Sequence, residues 1–382
     1  MAHTKPSEPY LNRLRERYRR ASKKERGLIL DEFEQTTGYH RKHAIALLRG
    51  RRAWRDPSRP LRRKRRRYTE EDRAALLKVV DLFDGISSRR LRVALDTTLE
   101  DLLRRHYLSV SPTGVQHLRQ MSASTMDRLR RTAPRPQPRT RGGTKPGTLL
   151  KTQIPIRTFA EWDDKQPGFF EIDLIQHDGG NPSGFFACTL TMTDVASGWT
   201  ELQAVLTKAQ IHVFHALTDR RAALPIDMLG LDSDNGAEFI NNHLRRYCTR
   251  EKITFTRGRV GRKNDNPFIE QKNWSVARRL VGYVRYATAH HVKQLNALYA
   301  VYRLYVNHFL PVEKLVEKKR VGSRVQRIFD PPRTPYQRLL DSAQVSEAQK
   351  AKLRAEHAGL DVVQLKQQID RLISNLVPST VG

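Results

Sequence analysis

The chain has 382 residues, 38% of them hydrophobic, enough for two or three domains with ordinary cores. Its 70 Lys and Arg against 40 Asp and Glu leave a formal charge of +30, a surplus that repels itself unless it meets a polyanion, and nucleic acid is the partner this indicates. No run reaches the roughly 18 apolar residues of a membrane span, the polar start has no signal-peptide core, and two cysteines, Cys188 and Cys248, exclude a disulfide scaffold and suit a reducing cytoplasm.

Residues 1–67 carry 22 Lys and Arg against 7 Asp and Glu. Tyr10–Arg20 and Glu25–Thr36 have helical periodicity, Thr37-Gly38 breaks it, and Tyr39–Leu48 resumes it with Ala44, Leu47 and Leu48 inward. A helix, a glycine turn and a basic helix predict a helix-turn-helix over 1–57, with His40, Arg41 and Lys42 outward as DNA contacts; an ordinary helical hairpin with a solvated basic face is the alternative. Residues 58–67 form a basic linker ending in Arg62-Arg-Lys-Arg-Arg-Arg67, which stays extended until it meets phosphate.

Residues 68–132 predict a second helical module. Thr69-Glu-Glu-Asp72 caps its first helix, Ser111-Pro112 opens another, and Ser122 caps a last one with Met126 and Leu129 inward and Arg128, Arg130 and Arg131 outward as further DNA contacts. Residues 133–153, rich in Pro, Gly, Arg and Thr, form a flexible tether.

A core over 154–310 follows. Phe169–Ile175, Gly184–Thr193 and Thr200–Leu206 are successive strands; Ala209–Ala223 is a helix, Met228–Asp232 a strand, Ala237–Arg250 a helix and Ile253–Thr256 a short strand. A polar loop then leads to a helix over Pro267–Tyr286, and His290–Phe309 is another. Hairpin strands first, then alternating helices and strands, imply a mixed sheet covered by helices. Residues 311–382 are basic and Pro-bearing, with a short strand within Val321–Phe329, then helical. Val362, Leu365, Ile369, Leu372 and Leu376 recur three and four apart, a heptad seam for a second copy or for the chain itself.

Three carboxylates stand out in this frame. Asp234 opens Asp234-Asn-Gly236 directly after an apolar strand; such a turn is by itself equally a structural one. Asp173 lies inside Phe169-Phe-Glu-Ile-Asp-Leu-Ile175, where an ionised group is costly unless paired or metal-bound. Glu270 falls on the edge of the apolar face set by Ile269, Val276, Leu280 and Val284. Asp178 is an alternative to Asp173 but alternates to the opposite strand face; His177 fits a structural or phosphate-contacting role, Asp194 a structural turn and Asp232 a paired or supporting place. Lys272 and Arg278 point off the apolar face, toward DNA phosphates or simply solvent.

A strand Asp, then Ser233-Asp-Asn-Gly-Ala-Glu-Phe239, then Glu270 after 35 intervening residues with Asn273 three later, resembles the catalytic core of retroviral integrases and related insertion-sequence transposases. The resemblance spans roughly residues 154–309. It implies an α/β ribonuclease H-like catalytic core, a mixed five-stranded sheet with helices, preceded by all-α helix-turn-helix modules and followed by a mainly helical C-terminal region. It further implies that Asp173, Asp234 and Glu270 hold two Mg²⁺ ions, with Mn²⁺ able to substitute, for DNA strand cleavage and strand transfer. The partners implied are double-stranded DNA, as element ends and as target, and further copies of the chain when DNA is bound; the place is a bacterial-type cytoplasm, at the nucleoid. The zinc-binding N-terminal module of retroviral integrases is absent, since no Cys precedes Cys188. A DNA-binding regulator without chemistry and a plain metal-dependent nuclease are the competing readings.

Overall fold

The computed structural model describes residues 6–50, 67–131, 166–233, 238–239, 241–257, 278–321 and 324–377. The chain divides into two compact units, Met1–Arg67 and Tyr68–Gly382. Most of the linker, the tether, Asp234, Glu270 and Lys272 lie outside the described residues.

In the first unit, α1 (Glu8–Arg20), α2 (Lys23–Thr37) and α3 (Arg41–Leu48) close around Leu11, Tyr18, Ile29, Phe33, Ala44 and Leu47. Ser22 and Glu25 form a reciprocal capping box at the start of α2. Gly38 ends α2 at φ 70, the left-handed conformation that glycine adopts without steric cost, and this turns the chain into α3.

The second unit starts with α4 (Glu70–Leu82), α5 (Ser88–Arg104), α6 (Pro112–Gln120) and α7 (Ala123–Arg130). Thr69, Ser111 and Ser122 cap α4, α6 and α7 with their side chains, where the sequence places those caps. These helices do not make a separate core: Leu76, Leu91, Leu99 and Met126 belong to one apolar cluster with Leu202 and Ala204 of the sheet. The Tyr305 hydroxyl donates to Leu82 O at 2.7 Å, tying the end of α4 to the chain beyond the sheet.

The sheet has five strands in the order β3-β2-β1-β4-β5. They are β1 (Phe169–Gln176), β2 (Cys188–Asp194), β3 (Thr200–Val205), β4 (Gly230–Ser233) and β5 (Thr254–Arg257). Strands β1, β2 and β3 are antiparallel neighbours, while β4 runs parallel to β1 and β5 parallel to β4. This is the mixed sheet expected from hairpin strands followed by crossovers. Phe170, Ile172 and Leu174 alternate onto one face and pack with α8 (Gln210–Ala222) and α9 (Asn242–Arg250) through Val213, Leu217 and Leu244.

The short helix α10 (Arg279–Val281) is followed by α11 (Ala289–Phe309). The expected helix to Tyr286 stops early, because Gly282 turns at φ 74. Tyr286 then joins the sheet end instead, accepting from Ala187 N at 2.6 Å and donating to His177 O at 3.2 Å. Val284 therefore lies beyond the helical face assigned to it. Helix α11 also protects the outer edge of β3. Asn296 accepts from Ala204 N at 2.7 Å and donates to Ala204 O at 3.0 Å; Asn307 does the same for Thr200, at 2.8 and 2.9 Å. Two side-chain amides thus stand in for a neighbouring strand on an exposed edge.

The C-terminal part contains a hairpin, β6 (Leu315–Val321) with β7 (Arg324–Phe329), then α12 (Pro335–Asp341), α13 (Glu347–Ala358) and α14 (Val362–Ser374). The heptad seam is intramolecular. Val362, Leu365, Ile369 and Leu376 are buried in the same cluster as α11 and α4, and Leu372 packs on it. Two heptads suffice to lay one helix along another of the same chain, where no association entropy opposes the contact. Among the described residues no helix is long and apolar enough to cross a membrane.

Candidate active site and nucleic-acid contacts

Asp173 sits on the middle strand, on the face opposite Phe170, Ile172 and Leu174. It shares that face with Glu171, two residues earlier. Glu171 is fully buried whereas Asp173 is half-buried, so Asp173 is the acid of β1 that reaches toward the surface. Its Oδ1 accepts from Leu174 N at 2.7 Å, and its register partner on β2 is Thr191. Beside it, β4 pairs Asp232 with Glu171 and Ser233 with Ile172. Asp232 is fully buried and accepts a hydrogen bond from Thr256 Oγ1 of β5. Asp234 is the next residue after Ser233; it and Glu270 fall outside the described residues. Glu171 is a buried acid the sequence reading passed over, though period-two alternation already set it on the face of Asp173.

The end of β1 carries a cation. Arg278 Nη2 donates to Gln176 O at 2.8 Å, and its guanidinium lies 4.6 Å from the Tyr283 ring centre. Burial lowers its pKa first of all, while Tyr283, Asp178, Tyr299 and Asp173 act in the opposite sense. A guanidinium stays protonated in such surroundings, so a fixed positive charge lies within electrostatic reach of Asp173. The expectation of a side chain off the apolar face becomes a side chain partly buried against the strand end.

His177 and Asp178 take structural places. His177 is fully buried, with Nε2 2.7 Å from Thr189 Oγ1, which lies 2.9 Å from the Tyr299 hydroxyl. Burial, then Arg278, pushes its pKa down to about 3, so the ring is neutral. Asp178 follows the end of β1, and its Oδ1 accepts from Gly180 N at 3.0 Å. Arg285 clamps the turn by donating to the carbonyls of Asp178, Asn181, Ser183 and Phe185. Asp194 accepts from Gly168 N at 2.8 Å and Ser197 N at 2.7 Å, which fixes the β2–β3 turn to the start of β1.

The candidate DNA contacts divide similarly. His40 caps α3, its Nδ1 accepting from Lys42 N at 3.2 Å, and both side chains are exposed. Arg41 is exposed but pairs with Asp31 and with Glu34 of α2. Arg128 and Arg131 are exposed at the end of α7. Arg130 was expected outward; it turns inward and donates to Ile86 O at 2.7 Å, Gly85 O at 2.9 Å and Ser88 Oγ at 3.0 Å. The carbonyls left unpaired after α4 draw it in, since buried acceptors need donors.

Among the described residues no three His, Cys, Asp or Glu side chains group as a metal site, and two of the three proposed ligands are not among them. What is present fits a hard cation: Asp173 offers carboxylate oxygen rather than nitrogen or sulfur, half-open on a rigid central strand.

No known family model matches the chain. The catalytic core domain of HTLV-2 integrase in complex with magnesium, in its dimeric form, superposes with a TM-score of 0.30 at 13% identity, covering 39% of this chain and 93% of that one. That of BIV integrase superposes with a TM-score of 0.30 at 17% identity, covering 48% and 97%. The uncharacterized protein y4rM of Sinorhizobium fredii (strain NBRC 101917 / NGR234) is 39% identical over 328 residues, 85% of this chain and 92% of that protein. Such identity along nearly the whole length of both proteins shows that the chain belongs to the same family as y4rM.

Proposed function

We propose that the protein is a divalent-metal-dependent DNA transposase with a ribonuclease H-like core, cleaving the ends of a mobile element and joining them to target DNA. One observation carries the reading: Asp173 is half-open on the middle strand of a mixed sheet, and the parallel strand beside it ends, at the register of Ile172, one residue before Asp234. The order β3-β2-β1-β4-β5, antiparallel then parallel, suits a ribonuclease H-like core.

Asp173, Asp234 and Glu270 would hold two Mg²⁺ ions, or Mn²⁺ in their place. When bound, such ions activate an attacking hydroxyl and stabilise the leaving oxygen of an in-line displacement. Asp173 supplies carboxylate oxygen from a backbone that pairs with Thr191 of β2, one residue past the last pair with β4. Arg278 sets a positive charge at the end of the same strand, within electrostatic reach of Asp173, which offsets the repulsion between a phosphodiester and a cluster of carboxylates. Buried Glu171 and Asp232 lie too deep to meet DNA and belong to the support beneath Asp173. The helix-turn-helix of residues 1–57 binds double-stranded element ends, several copies assemble on them, and the protein works in the cytoplasm at the nucleoid.

The test is incubation of the purified protein with Mg²⁺, labelled candidate terminal repeats and a target plasmid. Joined products support the reading. Cleavage without joining would mark a nuclease, and end binding with no cleavage a regulator.

A further inference from the structure

We infer that the β6–β7 ribbon is a second duplex-DNA contact, inserted into a groove. Leu315–Phe329 holds five Lys and Arg, Lys318, Lys319, Arg320, Arg324 and Arg327, against the single acid Glu317. Among the described residues it is a two-stranded sheet joined to no other strand. Lys319 pairs with Gln326 on one face; Lys318 pairs with Arg327 and Arg320 with Val325 on the other. Lys319 and Gln326 are exposed, and so are Arg320 and Arg327, so both faces reach solvent. Val316 is 67% exposed and Leu315 and Ile328 more than a third.

A two-stranded ribbon is marginal by itself, and Leu315, Val316 and Ile328 leave apolar surface exposed on this one. The base, by contrast, is anchored. Asp330 accepts from Lys314 N at 2.6 Å and pairs with Arg338 at 2.7 Å; Glu313 pairs with Arg89 at 2.8 Å. Lys314 Nζ reaches Ala196 O at 3.1 Å. A cationic ribbon on an anchored base fits a partner that supplies dense negative charge.

Size selects duplex DNA among polyanions. Seven residues at about 3.3 Å each make a ribbon roughly 23 Å long. A major groove about 12 Å wide admits two strands, with basic side chains toward the flanking phosphates and apolar ones toward sugars and thymine methyl groups. A second copy is a poor occupant, since its own ribbon carries the same charge. The choice of duplex DNA rests on the DNA-joining function proposed above.

The experiment measures how binding of the full chain to a short duplex of arbitrary sequence depends on salt, for wild type and for K319Q/R320Q/R327Q. Each phosphate contact contributes about 0.9 to the slope of log affinity against log salt, so the variant should lose about 2–3 units. The charge-preserving K319R/R320K/R327K should keep the wild-type slope, which separates charge from a disturbed hairpin. A photo-crosslinking residue at Val316 should join to DNA. An unchanged slope in the glutamine variant, a slope lost equally in the charge-preserving one, or crosslinking to protein alone overturns the ribbon assignment while leaving the DNA-joining function standing. A wild type that binds no duplex DNA overturns both.

Discussion

Arg278 donates to the carbonyl of Gln176 at 2.8 Å, three residues past Asp173 on the same strand. The bond closes the end of β1, and the guanidinium lies over the Tyr283 ring, 4.6 Å from its centre. Arg278→Lys keeps the charge but weakens the bond to Gln176 and the contact with the Tyr283 ring, each worth about 1 kcal/mol. Cleavage should fall by roughly tenfold and further in Arg278→Gln, with the melting temperature lowered in both. Equal cleavage rates for wild type and Arg278→Gln would show that this cation plays no part in the reaction.

Asp173→Asn, Asp234→Asn and Glu270→Gln should each lower strand cleavage by about 10³-fold or more, since losing a carboxylate ligand removes several kcal/mol of charge stabilisation. DNA affinity, read by anisotropy, should hold or rise slightly as a negative charge is lost. If any one of them cleaves in Mg²⁺ at near the wild-type rate, the three do not form one site.

End selectivity should be lost when residues 1–67 are removed. The cut belongs there because α4–α7 share their core with the sheet and α11, so a truncation at residue 132 would strip Leu76, Leu91 and Leu99 from that core and unfold the remainder. The truncated protein should bind element ends and arbitrary DNA alike, with a shallower salt dependence. Preserved preference for the ends would move recognition into residues 68–382.

Ile369, 1% exposed, tests the seam. Ile369→Ala should destabilise the second unit by about 2–5 kcal/mol through the cavity it leaves against α11 and α4. Its mass by light scattering without DNA should equal that of wild type. A lower mass with unchanged stability would mean that the seam joins copies after all.

Acid should act through His177. Its imidazole, ordinarily near 6.5, is pushed down to about 3 by burial. Below pH 6.5 the unfolded chain binds a proton there that the folded chain refuses, so this contribution is complete above 6.5 and is lost as pH falls toward 3. Compared with His177→Gln, the wild-type stability advantage should shrink by about 2 kcal/mol between about pH 7 and pH 5. A difference independent of pH would show that the ring accepts its proton in the folded state.

Much of this protein was written locally. Gly38 ends α2, and Thr69, Ser111 and Ser122 start helices, because capping and positive φ depend on a few adjacent residues. The strands β1 to β5 followed from alternation and turn residues, and the position of Asp173 within β1 followed with them. Tertiary structure decided what depends on distant partners. Arg130 turned inward because carbonyls 44 and 45 residues away lacked donors. Past the turn at Gly282, Tyr286 left the expected helix for backbone bonds to His177 and Ala187 at the sheet end. The heptad seam found its partner within the chain, and Glu171 proved buried where Asp173 proved half-open. Periodicity reports which residues share a face; only packing determines what that face meets, since burial belongs to both surfaces and the sequence writes them far apart.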